Sequence, residues 1–279
     1  MSWYQRAAKL NSSVPSIYEQ LYSHIKSRER RIYSGMVTAI DEAVGQIVDA
    51  LEGNGLADNL LLVFTSDNGG SPYMGGNNLP LRGSKNTLWE GGTRVPTFVY
   101  SPSLLQTTGH VSNDLFHAVD WFPTFLEAAG APSVQGIDGV SQWKFLTEGK
   151  SSPRNEFVYN IWSSGKGAIR VGDYKLIVGR PGLYNDWYPI PGLEPFKRKR
   201  FKGGRHDSVQ LERSSHLLFN IKEDPSETRN VAADFPQVVR ELMDRFTALN
   251  LTKVTQRRPD RDARADPSLY GGFWTPGWC

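Results

Sequence analysis

Leu60-Leu61-Leu62-Val63-Phe64-Thr65-Ser66-Asp67-Asn68-Gly69-Gly70 is an apolar run that breaks at once into an acid, an amide and two glycines. The run is apolar on both faces, which predicts a strand inside a parallel sheet covered by helices, because a strand with one wet face alternates apolar and polar residues. Upstream, Ile32, Met36, Val37, Ile40, Val44, Ile47, Val48 and Leu51 recur at spacings of three and four. That spacing predicts a helix with one apolar face, and Gly53-Asn54-Gly55 supplies its stop. Helix, short turn and buried strand in that order predict an α/β layer architecture. In an open α/β sheet ligands collect just beyond the carboxyl ends of the strands, so Asp67 and Asn68 face the expected site. Two adjacent hard-oxygen donors followed by Gly-Gly suit Ca²⁺ or Mg²⁺. Asp-Asn-Gly is also good turn chemistry, and on these residues alone a plain turn is the readier reading.

Ser66 to Arg94 is a long segment rich in Gly, Asn and Ser with little periodicity, and loops of that length inside a compact domain are usually functional or disordered. Val95 to Tyr100 reads as a second buried strand, with Pro96 near its start and Pro102 ending it. Asp114 to Ala129 reads as a helix with Leu115, Val119, Phe122, Phe125 and Leu126 inward and Pro123 bending it, and Ser141 to Glu148 as a further helical turn or two.

From Glu156 the texture changes. Phe157-Val158-Tyr159, Ala168 to Val171, Tyr174 to Val178 and His216 to Asn220 are short strand-like runs, and Gly172-Asp173 is a hairpin signal. Pro236 to Leu249 reads as an amphipathic helix with Val238, Val239, Leu242, Met243 and Phe246 on one side. The chain thus divides into residues 1–150, an α/β part, and residues 151–279, a small α+β subdomain with an antiparallel sheet. Within the latter, residues 181–208 form a long surface loop that carries Lys197-Arg198-Lys199-Arg200.

Composition narrows the function. The 279 residues carry 32 Lys and Arg against 29 Asp and Glu, a net charge of +3, which gives no general polyanion-binding character. The Lys197 to Arg200 run therefore reads as a solvated loop and no nucleic-acid partner is expected. One Cys excludes a disulfide framework and a multi-thiolate zinc site. The longest apolar run, Leu60 to Phe64, is far short of the about 20 residues of a spanning helix, so no transmembrane segment is expected. The first twenty residues hold no apolar block of a secretory signal, which by itself predicts a cytosolic chain. Asn11-Ser12-Ser13 and Asn250-Leu251-Thr252 nevertheless fit the N-glycosylation acceptor pattern. His24, His110, His206 and His216 have no acid or nucleophile at recognisable spacing, and His117 reads as a residue of the Asp114 to Ala129 helix facing a helix or sheet neighbour. Tyr184, Trp187, Tyr188, Trp274 and Trp278 are read as packing residues rather than a substrate mouth.

The long loop resembles the sulfatase family, most closely its arylsulfatase B-like branch, through Ser66-Asp67-Asn68-Gly69-Gly70 and through GGNNLPLRGSKNTLWEGGTRVP from Gly75 to Pro96. The likeness continues in RRIYSGMVTAIDEAVGQIVDAL, DWFPTFLEAAG, GIDG, AIRVGDYKLIVG and LFNIKEDPSETRNVA. It implies the remainder of an alkaline-phosphatase-like sulfatase domain, with the smaller antiparallel subdomain behind it, and the activity of a sulfuric ester hydrolase. By resemblance Asp67 and Asn68 match the Asp-Asn pair that ligates the family's divalent cation, usually calcium, and Lys85 matches the lysine that contacts sulfate. The physical chemistry agrees: a sulfate ester is anionic, and charge growing on the leaving oxygen is stabilised by a cation and an ammonium. The implied partner is a sulfated small molecule or glycosaminoglycan, and the implied location lysosomal or extracellular.

Three departures accompany the resemblance. The family nucleophile is a formylglycine made from the Cys of Cys-x-Pro-x-Arg, and here the single Cys is Cys279. No Asp-Asp dipeptide occurs to supply further metal ligands, and Asp67 with Asn68 gives only two or three of the roughly 6 to 8 oxygens calcium takes. Lys9 stands where the branch carries a histidine before a Val-Pro step, here Val14-Pro15. The expectation is a C-terminal portion of a sulfatase with residues 1–13 divergent, either an incomplete hydrolase or a catalytically silent binding protein. With the flank of the Leu60 to Thr65 strand uncovered, such a chain is expected to aggregate.

Overall fold

The computed structural model describes residues 14–188, 216–254, 260 and 262–275. Two helices open it, α1 (Ser16–Gln20) and α2 (Arg28–Gly53). The Ser27 hydroxyl caps α2 by accepting from Arg30 N–H at 3.3 Å, and the helix stops at Asn54 with Gly55 at φ 69°, as the Gly-Asn-Gly signal predicts. Its apolar stripe is largely at the surface, however. Ile32 and Gly35 are its buried residues, while Val37, Ile40 and Ile47 are half-exposed at 50%, 49% and 51%.

Strand β1 (Leu62–Thr65) pairs with β2 (Thr97–Tyr100), and the pairing is antiparallel, with Leu62 opposite Tyr100 and Thr65 opposite Thr97. The expected parallel, fully covered strand is therefore corrected. Among the described residues these two strands form a sheet of their own, and none of their residues is buried. An apolar run reports how much cover a strand calls for; it carries no information on the direction of the partner.

The Asp114 to Ala129 segment also departs from its pattern. A short 3₁₀ turn, Ala118–Asp120, leads into α4 (Trp121–Ala128), after the single-turn helix α3 (Glu90–Thr93). Pro123 falls in the first turn of α4, where its missing N–H needs no partner, so it begins the helix and does not bend it. Phe122 and Phe125 point outward, and the residues turned inward are Asp120 and Thr124. Polar bonds anchor this helix: Asp120 accepts from Arg154 Nε at 2.7 Å and Val140 N–H at 2.9 Å, and Thr124 Oγ1 accepts from Gln142 N–H at 2.9 Å. Helix α5 (Trp143–Glu148) follows as expected.

The second sheet runs β3 (Glu156–Val158), β4 (Gly167–Val171), β5 (Tyr174–Val178) and β6 (His216–Asn220) in spatial order, every pair antiparallel. Gly172, at φ 55°, and Asp173 make the two-residue turn between β4 and β5. Alternation along these strands sends side chains to two covered faces. Ile169, Leu176 and Leu218 pack with Leu242 and Phe246 of α6 (Pro236–Leu251). On the opposite face Ala168, Ile177, Leu217 and Phe219 pack with Leu88 and Trp89 of the long loop. The loop after β5 is no simple surface excursion: Pro181 and Tyr184 are buried, and the Leu88 N–H donates to the Pro181 carbonyl at 2.7 Å. The Lys197 to Arg200 run lies outside the described residues.

Candidate functional site

At the end of β1 the chain folds on itself at Ser66, whose hydroxyl donates to the Asn68 carbonyl at 2.9 Å. Asp67 is exposed and Asn68 half-buried. Asn68 uses Nδ2 to donate to the Gly69 carbonyl at 3.0 Å, which leaves Oδ1 outside that bond. Gly69 N–H then donates to the Gly92 carbonyl at 3.1 Å. The approach is so close that a Cβ at Gly69 would lie 1.8 Å from the Gly91 carbonyl oxygen, which is the reason for glycine at this position.

Asn78 joins this segment to the lysine. Its Oδ1 accepts from Gly70 N–H at 2.7 Å, and its Nδ2 donates to the Gly70 carbonyl at 2.9 Å and the Gly83 carbonyl at 3.1 Å. Lys85 N–H donates to the same Gly70 carbonyl at 3.3 Å. Ser84 and Thr87 are buried on either side, with the Thr87 hydroxyl donating to the Ser84 carbonyl at 2.7 Å. The Lys85 side chain is exposed at the tip of this tight turn. The structure thus brings the Asp67-Asn68 segment and the Lys85 segment together through backbone and a single amide side chain. Asn78 was not singled out from sequence; the adjacent Asn77-Asn78 amides between glycine pairs are the signal that marks it.

Behind the loop, buried Arg82 is sandwiched between the rings of Trp89 at 4.0 Å and Trp187 at 4.5 Å. Its Nε donates to the Asn185 carbonyl at 2.7 Å and its Nη1 to the Glu227 carbonyl at 3.1 Å. Beside it Lys175, on the loop-facing side of β5, lies 2.8 Å from both Glu90 Oε1 and Glu227 Oε1. Burial works to raise the Glu90 carboxyl, but the charge and hydrogen bond of Lys175 outweigh it and hold Glu90 below its ordinary range.

Other candidates fall away from this site. His117 caps the 3₁₀ turn before α4, its Nδ1 accepting from Val119 N–H at 3.3 Å while its own backbone N–H donates to Asp120 Oδ2 at 2.9 Å, and burial, with Arg154 nearby, lowers its pKa. The Asn250 sequon lies in the last turn of α6 with Asn250 half-buried. Tyr184 and Trp187 pack as expected, whereas Trp274 is 70% exposed. His206, Trp278, Lys9 and the Asn11 sequon lie outside the described residues. For a divalent cation, Asp67 and Asn68 have the right donor chemistry, yet among the described residues no group of three or more His, Cys, Asp or Glu is placed to hold a metal ion. The donor set present is a partial one.

Residues 5–131 match the family model described as Sulfatase, and the chain belongs to the sulfatase family, over part of its members' length. Arylsulfatase J of Mus musculus is 37% identical over 284 residues, covering 94% of this chain and 47% of that protein. N-acetylgalactosamine-6-sulfatase of Homo sapiens is 29% identical, covering 88% and 46% respectively. The chain therefore spans about half the length of the curated relatives it matches. Among solved structures, Ps i-CgsB in complex with k-i-k-neocarrahexaose superposes with a TM-score of 0.69 at 25% identity, over 87% of this chain and 48% of that one. The α/β class read from sequence is the class of these structures.

Proposed function

We propose that the chain supplies the sulfate- and cation-facing wall of a sulfuric ester hydrolase acting on sulfated carbohydrate. The observation that supports this best is the double hold on Gly70: Lys85 N–H and the Asn78 amide both bond its carbonyl, which ties the lysine segment to the Asp67-Asn68 segment. Lys85 meets the anionic sulfate as a flexible point charge and stabilises the negative charge that grows on the leaving oxygen. Asp67 and the Asn68 amide oxygen would be two donors to a divalent cation such as calcium, which when bound polarises the ester. A formylglycine nucleophile, implied by the resemblance, has no Cys-x-Pro-x-Arg precursor in the 279 residues. The carbohydrate class is supported by the N-acetylgalactosamine-6-sulfatase relative and by the oligosaccharide complex of Ps i-CgsB. Among the described residues no helix is long and apolar enough to cross a membrane, and a lysosomal or extracellular setting goes with the same reading.

The alternative reading is a chain that binds a sulfated ligand without turnover. Hydrolysis of an aryl sulfate in calcium, by the purified chain and its Lys85→Ala variant, separates the two. Turnover well above the variant establishes a competent hydrolase; ligand binding without turnover establishes the binding protein.

A further inference from the structure

Glu227 sits in the turn after β6 at φ 54°, in the left-handed region that disfavours side chains other than glycine's. It grips both ends of loop 82–90: its carbonyl accepts from Arg82 Nη1 at 3.1 Å, and its Oε2 accepts from Glu90 N–H at 2.6 Å. Lys85 lies on the loop between those two holds. The remaining oxygen, Oε1, lies 2.8 Å from Lys175 Nζ, so Glu227 is the second carboxylate paired with that one ammonium. The ammonium's hydrogen bond goes to Glu90 Oε1 at 2.8 Å, and Tyr159 OH donates to the same oxygen at 3.1 Å.

The charges facing this cluster come from every element around it. Lys175 enters from β5, with its ammonium 4.6 Å from the Tyr159 ring that follows β3. Arg170 of β4 acts on Glu90 at longer range, and Arg82 spends its Nη1 on the Glu227 carbonyl. Two carboxylates share one ammonium, with side-chain exposures of 2% for Glu90 and 0% for Glu227 and Lys175. Two carboxylates on one buried ammonium leave a negative charge in excess, which is expensive in such a place, and the available relief is a proton on Glu227, since Glu90 Oε1 holds both the Lys175 and the Tyr159 donors.

We propose that Glu227 is a positioning residue for Lys85, and that it takes up a proton as loop 82–90 docks on the second sheet, so that the loop is held most firmly in mildly acidic solution. The proton uptake stands on the buried cluster; its consequence for a sulfated ligand rests on the reading of Lys85 given above. Burial, with the neighbouring Glu90 charge and against the pull of Lys175, pushes Glu227 up to about 7. A carboxyl raised in the folded state favours folding below that value, and the advantage is lost as pH rises from the unfolded carboxyl range through about 7.

The test is amide hydrogen exchange across residues 82–92 of the 279-residue chain at pH 6 and pH 8, corrected for intrinsic rates, in wild type and Glu227→Gln. One proton linked to docking predicts about tenfold greater protection at pH 6 in wild type and no difference in the neutral, isosteric variant. Equal protection at the two pH values in wild type, or the same pH response in Glu227→Gln, overturns the proposal. If the variant does not fold, the wild-type thermal midpoint decides: a rise from pH 8 to pH 6 supports the proton, and a flat or falling midpoint refutes it. Titration of inorganic sulfate at both pH values is the second arm. Absence of sulfate binding alongside pH-dependent protection upholds the proton-linked brace and removes the Lys85 reading.

Discussion

Asn78 holds Gly70 by both of its backbone polar groups, accepting from the N–H at 2.7 Å and donating to the carbonyl at 2.9 Å. The same Nδ2 reaches the Gly83 carbonyl at 3.1 Å, so a single amide registers the Asp67-Asn68 segment against the loop that carries Lys85. Replacing it with Ala leaves a backbone N–H and two carbonyls without that partner, and partly buried groups so orphaned lose about 1–3 kcal/mol. Asn78→Ala is expected to lower the urea midpoint by that amount, and to weaken ligand binding through Lys85 beyond the effect on folding. An unchanged midpoint would mean that the clamp is incidental.

The close backbone approach at Gly69 gives a sharper contrast. A methyl there meets the Gly91 carbonyl oxygen at 1.8 Å, and neither neighbour is a flexible side chain that could move away. Gly69→Ala is expected to destabilise by several kcal/mol, in the manner of overpacked sites. Gly45, inside α2, has nothing within 4 Å of its Cβ position, and Gly45→Ala should stabilise by about 0.5–1 kcal/mol. Thermal melts of the two variants should move in opposite directions.

Asp120 and Arg154 form the anchor of α4, with Arg154 Nε donating at 2.7 Å. Burial tends to raise the Asp120 carboxyl, but the Arg154 hydrogen bond, with those from the Val140 and His117 N–H groups, prevails and keeps it below its ordinary range. Such a lowered carboxyl stabilises above its unfolded pKa and loses that contribution as pH falls through the lower folded value. Arg154→Met leaves a buried carboxylate unpaired and should cost about 3–5 kcal/mol at neutral pH, with a smaller loss of stability on acidification than in wild type. A variant whose acid unfolding parallels that of wild type would contradict this assignment.

The uncovered stripe of α2 predicts self-association. Val37, Ile40 and Ile47 are half-exposed apolar residues on one helix, and exposed apolar surface gathered on one element favours association. Ile40→Lys and Ile47→Glu together should reduce dye binding and light scattering while changing stability by no more than about 0.5 kcal/mol per site. A large loss of stability would show that the face is packed in solution.

Periodicity made α2, α6 and the four strands of the second sheet legible, because the spacing of their apolar residues is local; for α6 and the sheet that face is buried, whereas in α2 it is largely exposed. Gly172-Asp173 fixed the β4–β5 hairpin for the same local reason. The antiparallel pairing of β1 with β2 was not legible, since strand direction is decided by a loop of no regular period. The outward Phe122 and Phe125 of α4 were misread because the helix is anchored by Asp120 and Thr124, whose partners lie about twenty to thirty residues away. Within the site, the positions of Asp67, Asn68 and Lys85 came through the resemblance, while the Asn78 clamp and the Lys175 cluster depend on contacts between segments distant in sequence.

The most direct measurement is calorimetric titration of a sulfated oligosaccharide into the purified chain with calcium present, repeated for Lys85→Ala and Asp67→Ala. Binding to wild type that weakens about tenfold or more in Lys85→Ala, a loss of about 1.4 kcal/mol, and that loses its calcium dependence in Asp67→Ala, is the predicted result. Binding of equal strength in all three proteins, or none to wild type, contradicts the placement of a sulfate- and cation-facing wall at Asp67, Asn68 and Lys85.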